Sequence, residues 1–328
     1  GATAGIMIPW GTACGGNRIQ SDRFGDVLPL RRLGKTGKDV TMLGLGGYHI
    51  GWTTEKHAQD VIETAISGGI RFFDTAHSYE KGTSEERYGR FLIPQYRDQI
   101  FLMTKSTARN GVSIQKEFDL SLKRMQCDYV DLLQIHSLES PDDVDQRLEN
   151  GVVDASLKIL STGKAKYIGF TGHRNPYAHV RMMEQLPDSH SFSTVQMPVN
   201  LVDYASEHSF VKQVIPKALE NDLGILAMKT LADGRFFNRK ESKGEVKWTT
   251  DSPVIPDHLS VKEALYFSWS MPISVLITGA ENAILLKEKI ELAKEFVSMS
   301  EADRSALLAK VEQAPDREGI EYYKKIEG

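Results

Sequence analysis

The sequence predicts an α/β protein, a single (β/α)8 barrel with an N-terminal β-hairpin and a C-terminal helical tail. Three observations predict it. Eight short runs rich in Val, Ile, Leu and Phe recur along the chain, longer stretches of helical period lie between them, and ionisable residues stand at the ends of three successive runs. Apolar runs without alternation suit strands buried on both faces by crossover helices, and eight is the number that closes such a sheet. A doubly wound open sheet is the competing architecture. It usually carries a Gly-rich fingerprint in its first βα turn, and Gly44-Leu45-Gly46-Gly47 lacks that spacing.

Taken in order, residues 1–27 read as an irregular leader and residues 28–328 as one domain. The stretch Ala2-Thr3-Ala4-Gly5-Ile6-Met7-Ile8 reads either as the small, apolar end of an export signal or as an ordinary leader, so a cytoplasmic and an exported protein are both open. Residues 28–42 alternate around the turn residues Gly34-Lys35-Thr36-Gly37-Lys38, a hairpin signal. The eight strands are expected near 42–46, 71–74, 100–105, 130–136, 166–171, 194–197, 224–228 and 274–278. Amphipathic helices are expected over 55–67, 112–125, 141–160, 210–220 and 283–296. The gap from 229 to 260 is long for a compact domain, and loops of that kind tend to be lids, so it should ride over the barrel mouth. The tail from 300 to 328 has a helical pattern and lies outside the eight units.

Composition narrows the function classes. With 328 residues, 41% hydrophobic and 26% charged, the chain is of globular type, and one barrel can hold it all. A net charge of -4 without a long Lys/Arg run argues against nucleic acid and for a small-molecule partner. No apolar stretch reaches the length of a membrane span. Cys14 and Cys127 form no C-x-x-C pair, so no zinc or iron-sulfur site is expected.

The ends of the strands carry the chemistry. Phe72-Phe73 ends at Asp74, Met103-Thr104 at Lys105, and Gln134-Ile135 at His136; Tyr79 lies five residues past Asp74. In a barrel the C-terminal strand ends converge on one face, so these residues should meet. Together they suit carbonyl reduction. Attack on a carbonyl carbon builds negative charge on oxygen, which needs a proton donor and electrostatic support. A phenol with a pKa of about 10 is a weak acid at neutral pH. Lys105 would favour the phenolate, Asp74 would keep Lys105 charged, and His136 could donate to the same oxygen.

The segment Asp74-Thr75-Ala76-His77-Ser78-Tyr79, with Ser84-Glu85-Glu86 and Gly89 after it, resembles the aldo-keto reductases, whose catalytic Asp and Tyr precede a short helix. Lys105 and His136 match the other two members of that family's tetrad. The resemblance covers about residues 30–296 and implies a TIM-barrel oxidoreductase that uses NADP or NAD to interconvert an aldehyde or ketone and an alcohol. By that resemblance Gln196 bonds the nicotinamide amide, with Thr171 or His173 substituting where Gly172 lacks the family's side-chain amide. Met228 stands where many members have a stacking Tyr, and a thioether can pack there instead. Lys229, Thr230, Leu231, Gly234 and Arg235 match the pyrophosphate-covering start of the long loop, and Gly47, Tyr48, Asp74, Gly279, Glu281 and Glu288 complete the implied cofactor contacts. Tyr48, Trp52, Tyr79 and His136 are the implied substrate walls.

The largest departure is Glu281, near a position where NADPH-preferring relatives carry a cation. An acidic group suits a ribose hydroxyl better than a 2'-phosphate, although Lys287, Lys289, Arg235 and Arg239 could still serve a phosphate. Two other classes stay in view: a non-catalytic nicotinamide-binding accessory protein on the same fold, and a metal hydrolase using His136, His173 and Asp74.

Overall fold

The structure is a computed structural model that describes residues 20–185, 191–234, 259–312 and 317–326. The leader before residue 20, with the export-signal reading, and Arg235, Arg239 and most of the long loop lie outside the described residues. Two short antiparallel hairpins come first: β1 (Gln20–Asp22) with β2 (Gly25–Val27), then β3 (Leu30–Arg32) with β4 (Asp39–Thr41). Eight parallel strands follow and close into a barrel: β5 (Leu43–Gly46), β6 (Phe72–Asp74), β7 (Phe101–Ser106), β8 (Val130–Ile135), β9 (Ala165–Thr171), β10 (Phe192–Pro198), β11 (Gly224–Met228) and β12 (Val275–Thr278). The seam is the parallel pairing of β12 with β5, Leu276↔Leu43 through Thr278↔Leu45. All eight expected strands are present, with bounds that differ by two residues at most.

The helices around the first six strands are α1 (Tyr48–Trp52), α2 (Glu55–Ser67), α3 (Thr83–Phe91), α4 (Ile93–Tyr96), α5 (Gly111–Met125), α6 (Pro141–Glu149), α7 (Val152–Ser161), α8 (Pro176–Gln185), α9 (Leu201–Ala205) and α10 (Phe210–Glu220). Later come Val261–Trp269, Ala283–Lys294, Glu301–Glu312 and Arg317–Ile320. Each long helix buries one stripe on the sheet, as α2 does with Ala58, Val61, Ile62, Ala65 and Ile66. Among the described residues no helix is long and apolar enough to cross a membrane.

Three expectations are corrected. The leader is not irregular to residue 27, because β1 and β2 pair, and Asp22 accepts two hydrogen bonds from the Arg71 guanidinium at 2.6 and 2.9 Å. The helix expected over 141–160 is two helices, broken where Gly151 adopts φ 75°, a left-handed conformation that glycine takes without a Cβ clash. The tail is helical only in part: Glu321 to Ile326 forms a non-helical strap.

The hairpin of β3 and β4 plugs the barrel floor. Leu33 and Val40 join Phe72, Met103, Leu132, Leu226, Val275 and Ile277 in one inner cluster. Gly34, at φ 45°, lies so close to β11 that a Cβ there would sit 2.3 Å from the Gly224 nitrogen. With its bottom packed, the barrel offers a ligand its C-terminal face.

Candidate active site

Asp74 ends β6 in register with Gly46 on one side and Met103 on the other, so its carboxylate faces the barrel mouth. Lys105 stands two residues beyond Met103 on β7, and His136 follows β8, its amide donating to the Ser106 carbonyl at 2.8 Å. Tyr79 begins a tight turn, residues 79–82, after β6. The structure brings these four together. The Lys105 ammonium donates to Asp74 Oδ1, to the Thr75 carbonyl at 2.9 Å and to the Tyr79 hydroxyl at 3.1 Å. Its three protons are thereby matched by three acceptors. Lys105 and Asp74 are 1% and 2% exposed, which makes this an ion pair taken out of water. Burial raises the Asp74 carboxyl and by itself would lower Lys105; for Lys105 the charges of Asp74 and Tyr79 prevail and hold the ammonium above its usual range.

The Tyr79 ring meets the His136 ring and the Tyr48 ring edge-on, each at a centroid distance of 5.7 Å. A cavity of about 480 Å³ opens above them, lined by Tyr48, Trp52, Asp74, Tyr79, His136, His173, Gln196, Met228, Lys229 and Gly279 among others. Ten of the residues expected from sequence therefore line one pocket. Gly47 lies just beneath, where a Cβ would come within 2.4 Å of the Asp74 carbonyl. Thr171, Thr230 and Glu281 are buried without lining the cavity, Leu231 is half-buried, Gly234 is buried at the start of the long loop, and Glu288 is half-buried on the helix Ala283–Lys294. His136, His173 and Asp74 are not gathered as a three-ligand metal cluster; no such group exists among the described residues.

Several buried polar atoms around the cavity have no hydrogen-bond partner among the described residues: Gln196 Oε1, Thr171 Oγ1, Thr230 Oγ1 and His136 Nδ1. Buried polar atoms are normally satisfied, so those of Gln196 and His136, which line the cavity, with Thr171 paired opposite Gln196 across β9 and β10, mark where a polar ligand completes the set. An acceptor on Gln196 beside a hydroxyl on Thr171 fits a carboxamide, and the thioether of Met228 fits the face of a flat ring. The donor set thus fits a nicotinamide group.

At the other end of the cavity, Lys289 does not reach outward. Its ammonium donates to Thr278 Oγ1 at 3.0 Å and to the Gly279 carbonyl at 2.7 Å, and burial pushes it down to about 8. Lys287 lines a different surface groove, with Asp60 and Glu63 of α2. Sequence leaves both open as phosphate ligands; neither lines this cavity. Glu281 is 3% exposed and lies 3.5 Å from His49 Nε2, while its carbonyl accepts from Thr53 Oγ1 at 3.0 Å.

Sequence reasoning missed His49 and Tyr322. His49 fills the space over Gly279, where a Cβ would lie 2.0 Å from its Nδ1. Tyr322 arrives on the strap, which is pinned by its own neighbours. Lys324 pairs with Asp203 at 2.6 Å and Glu321 at 2.5 Å, Tyr323 donates to Glu321 at 2.7 Å, and Asn200 donates to Glu321 at 3.0 Å and to the Lys229 carbonyl at 3.2 Å. The aromatics of the first βα loop were a signal for His49. For Tyr322 no local signal exists, because the contact is set by ion pairs between distant segments.

Beneath the site, His179 faces the Gln196 carbonyl at 3.1 Å and packs against Phe170 and Phe210. Burial lowers His179 to about 4. His136 is held well below its usual range by desolvation first, and then by Lys105, His173, Arg147 and Lys229. In the unfolded chain both imidazoles take up protons near pH 6.5. Their contribution to stability is therefore present above about 6.5 and is lost as the pH falls toward the depressed folded values. Thermal melts from pH 8 to pH 4 should show the melting temperature falling below about 6.5, with a shallower fall for His136→Gln. An identical slope would mean that the His136 imidazole is not held neutral.

Comparison with known proteins agrees with this fold. A model of the "Aldo/keto reductase family" matches residues 42–299. The aldo-keto reductase YhdN of Bacillus subtilis (strain 168) is 31% identical over 61% of this chain and 61% of its own length. L-galactose dehydrogenase of Arabidopsis thaliana is 28% identical over 83% of this chain and 90% of its own. The holo form of an aldo-keto reductase from Bacillus halodurans superposes with a TM-score of 0.70 at 20% identity, covering 86% of this chain and 96% of that one. A glycerol dehydrogenase from Gluconobacter oxydans gives 0.67 at 19% identity, over 87% and 96%. A closed barrel of eight parallel strands, a family match across nearly all of it and named oxidoreductases among its relatives lead to one conclusion: the chain is an enzyme that belongs to the aldo/keto reductase family.

Proposed function

We propose that the protein is a nicotinamide-dependent carbonyl reductase, or alcohol dehydrogenase in the reverse direction, with Tyr79 as proton donor. The observation that carries this reading is the Lys105 ammonium bonded at once to Asp74 and to the Tyr79 hydroxyl at the floor of the cavity that His136 shares. A reduced nicotinamide, when bound, supplies the hydride. The protein's residues do the rest. His136, neutral at ordinary pH, donates a hydrogen bond to the carbonyl oxygen, and Tyr79 gives that oxygen its proton. Lys105 then stabilises the phenolate left behind, and Asp74 keeps Lys105 charged. Gln196 and Thr171 would hold the carboxamide, Met228 the ring face, and Lys229 with Thr230 the phosphates. Oxidation of either reduced cofactor in the presence of a panel of aldehydes, ketones and sugars tests the reading. Cofactor binding without any turnover would favour the accessory-protein alternative. Tyr48, Trp52 and Tyr322 form aromatic walls suited to the apolar face of a substrate, which makes sugars and aromatic aldehydes the first panel members.

We further read the adenosine end as favouring NADH. A 2'-phosphate needs cationic partners, and here a buried Glu281 stands near the place they would occupy, while Lys289 is bonded to Thr278 and Gly279 and Lys287 lines a different groove. The expected result is that the wild type binds NADH at least as tightly as NADPH, and that Glu281→Arg shifts the ratio toward NADPH by about tenfold, the scale of one charge-assisted bond. The measurement is the dissociation constant of each reduced cofactor at fixed ionic strength. A wild type that binds NADPH tenfold more tightly would overturn it.

A further inference from the structure

We propose that Arg124, in the last turn of α5 and outside the catalytic cavity, is a positioning residue that holds the Tyr79 phenol against Lys105. The inference rests on the reading of Tyr79 as proton donor and adds what keeps it in place. Directly after Tyr79 the backbone takes three left-handed conformations in a row: Glu80 at φ 47°, Lys81 at φ 57° and Gly82 at φ 99°. Residues with a Cβ disfavour that region, so such a run persists only where its surroundings enforce it. The Arg124 guanidinium does so. It donates to the His77 carbonyl at 3.2 Å, meets His77 Nδ1 at 3.2 Å, and donates to the Lys81 carbonyl at 3.2 Å. It thus grips the loop two residues before and two residues after the tyrosine. The glycine at 82 makes room for it, since a Cβ there would lie 2.2 Å from Arg124 Cζ.

The other end of this grip reaches the lysine. Arg124 pairs with Glu85, which is fully buried, at 3.2 Å; the second oxygen of Glu85 accepts a hydrogen bond of 2.7 Å from Thr104 Oγ1. Thr104 immediately precedes Lys105 on β7. A single buried carboxylate therefore ties the loop that bears the phenol to the strand that bears the ammonium. The 3.1 Å contact between the two catalytic residues is the distance this tie maintains. Loosening it leaves every catalytic group present but spaced differently, and a displacement of about 1 Å can cost on the order of a hundredfold in rate.

The test uses the full-length enzyme with 4-nitrobenzaldehyde and each reduced cofactor. Arg124→Met should lower kcat by about tenfold or more, leave the dissociation constant of the cofactor within about twofold, and move the pH profile of kcat, with Arg124→Lys recovering part of the loss. Thr104→Val, nearly isosteric, removes only the bond to Glu85 and decides the matter should Arg124→Met fail to fold; it should lower kcat by about threefold and move the profile in the same direction. Unchanged kcat and pH profile in both variants, or a fall in kcat matched by an equal loss of cofactor binding, would overturn the proposal. A Tyr79→Phe enzyme that still turns over would overturn the reading of Tyr79 and this inference with it. Inactive Tyr79→Phe beside unaltered Arg124 and Thr104 variants would overturn this inference alone.

Discussion

Tyr79→Phe is expected to lose about a hundredfold or more of its turnover while binding the reduced cofactor as the wild type does. The substitution deletes one oxygen and leaves the ring, so the edge-on contacts with Tyr48 and His136 at 5.7 Å persist. What vanishes is, among the described residues, the hydroxyl that both touches Lys105 at 3.1 Å and faces the cavity with a transferable proton. A positioned acid is typically worth about 10²–10⁴ in rate, so the loss falls on kcat. Steady-state kinetics with fluorescence titration of the cofactor separates the two effects, and near wild-type turnover would remove Tyr79 from the proton-donor role. Lys105 loses one acceptor of three, a change a water molecule can make good, so stability should shift by no more than about 1 kcal/mol.

The second large effect is expected at Lys105. Lys105→Met leaves the Asp74 carboxylate at 2% exposure without its counter-ion, beside a Gln196 amide whose nitrogen is 3.5 Å away. Removing one partner of a buried ion pair typically costs about 3–5 kcal/mol, because the other charge stays stranded. The variant should therefore melt well below the wild type at neutral pH and regain part of that loss on mild acidification, as Asp74 takes up a proton. Activity should fall at least as far as in Tyr79→Phe. Adding Asp74→Asn to Lys105→Met should restore stability without restoring turnover, so the two substitutions are strongly non-additive in folding. A double variant whose destabilisation equals the sum of the singles would show that the pair does not act as a unit.

Much of this was legible because a barrel writes its plan locally. Strands buried on both faces are largely apolar, so Phe72-Phe73, Leu102-Met103 and Leu132-Leu133 stand out, and the ionisable residue at or next to the end of each is marked by contrast. Asp74, Lys105 and His136 were read that way. The misses have a common cause. Pairing of β1 with β2 involves three residues each, too few for a period, and is fixed by Asp22 reaching Arg71 across forty-nine positions. The break at Gly151 was masked because the apolar stripe runs on through Val144, Val152 and Val153. Lys289 looked like a phosphate ligand in sequence; only the third dimension turns it under the Thr278–Gly279 backbone. Arg124 sat in an amphipathic helix among other charges, and nothing nearby in sequence singled it out from Lys123.

The seam between β12 and β5 has a consequence for how the enzyme comes into being on the ribosome. Asp74, Tyr79, Lys105 and His136 have all been synthesised long before residues 275–278, yet until those residues emerge β5 has an open edge. A nascent chain at that stage exposes unpaired backbone to neighbouring chains and has no closed wall to keep water from the Lys105–Asp74 pair. The joining of the first and last strands is a contact of very high sequence separation, the kind that forms slowly. Activity should thus appear in translation as a single late event rather than by degrees, and the interval before it is when the chain most needs a chaperone.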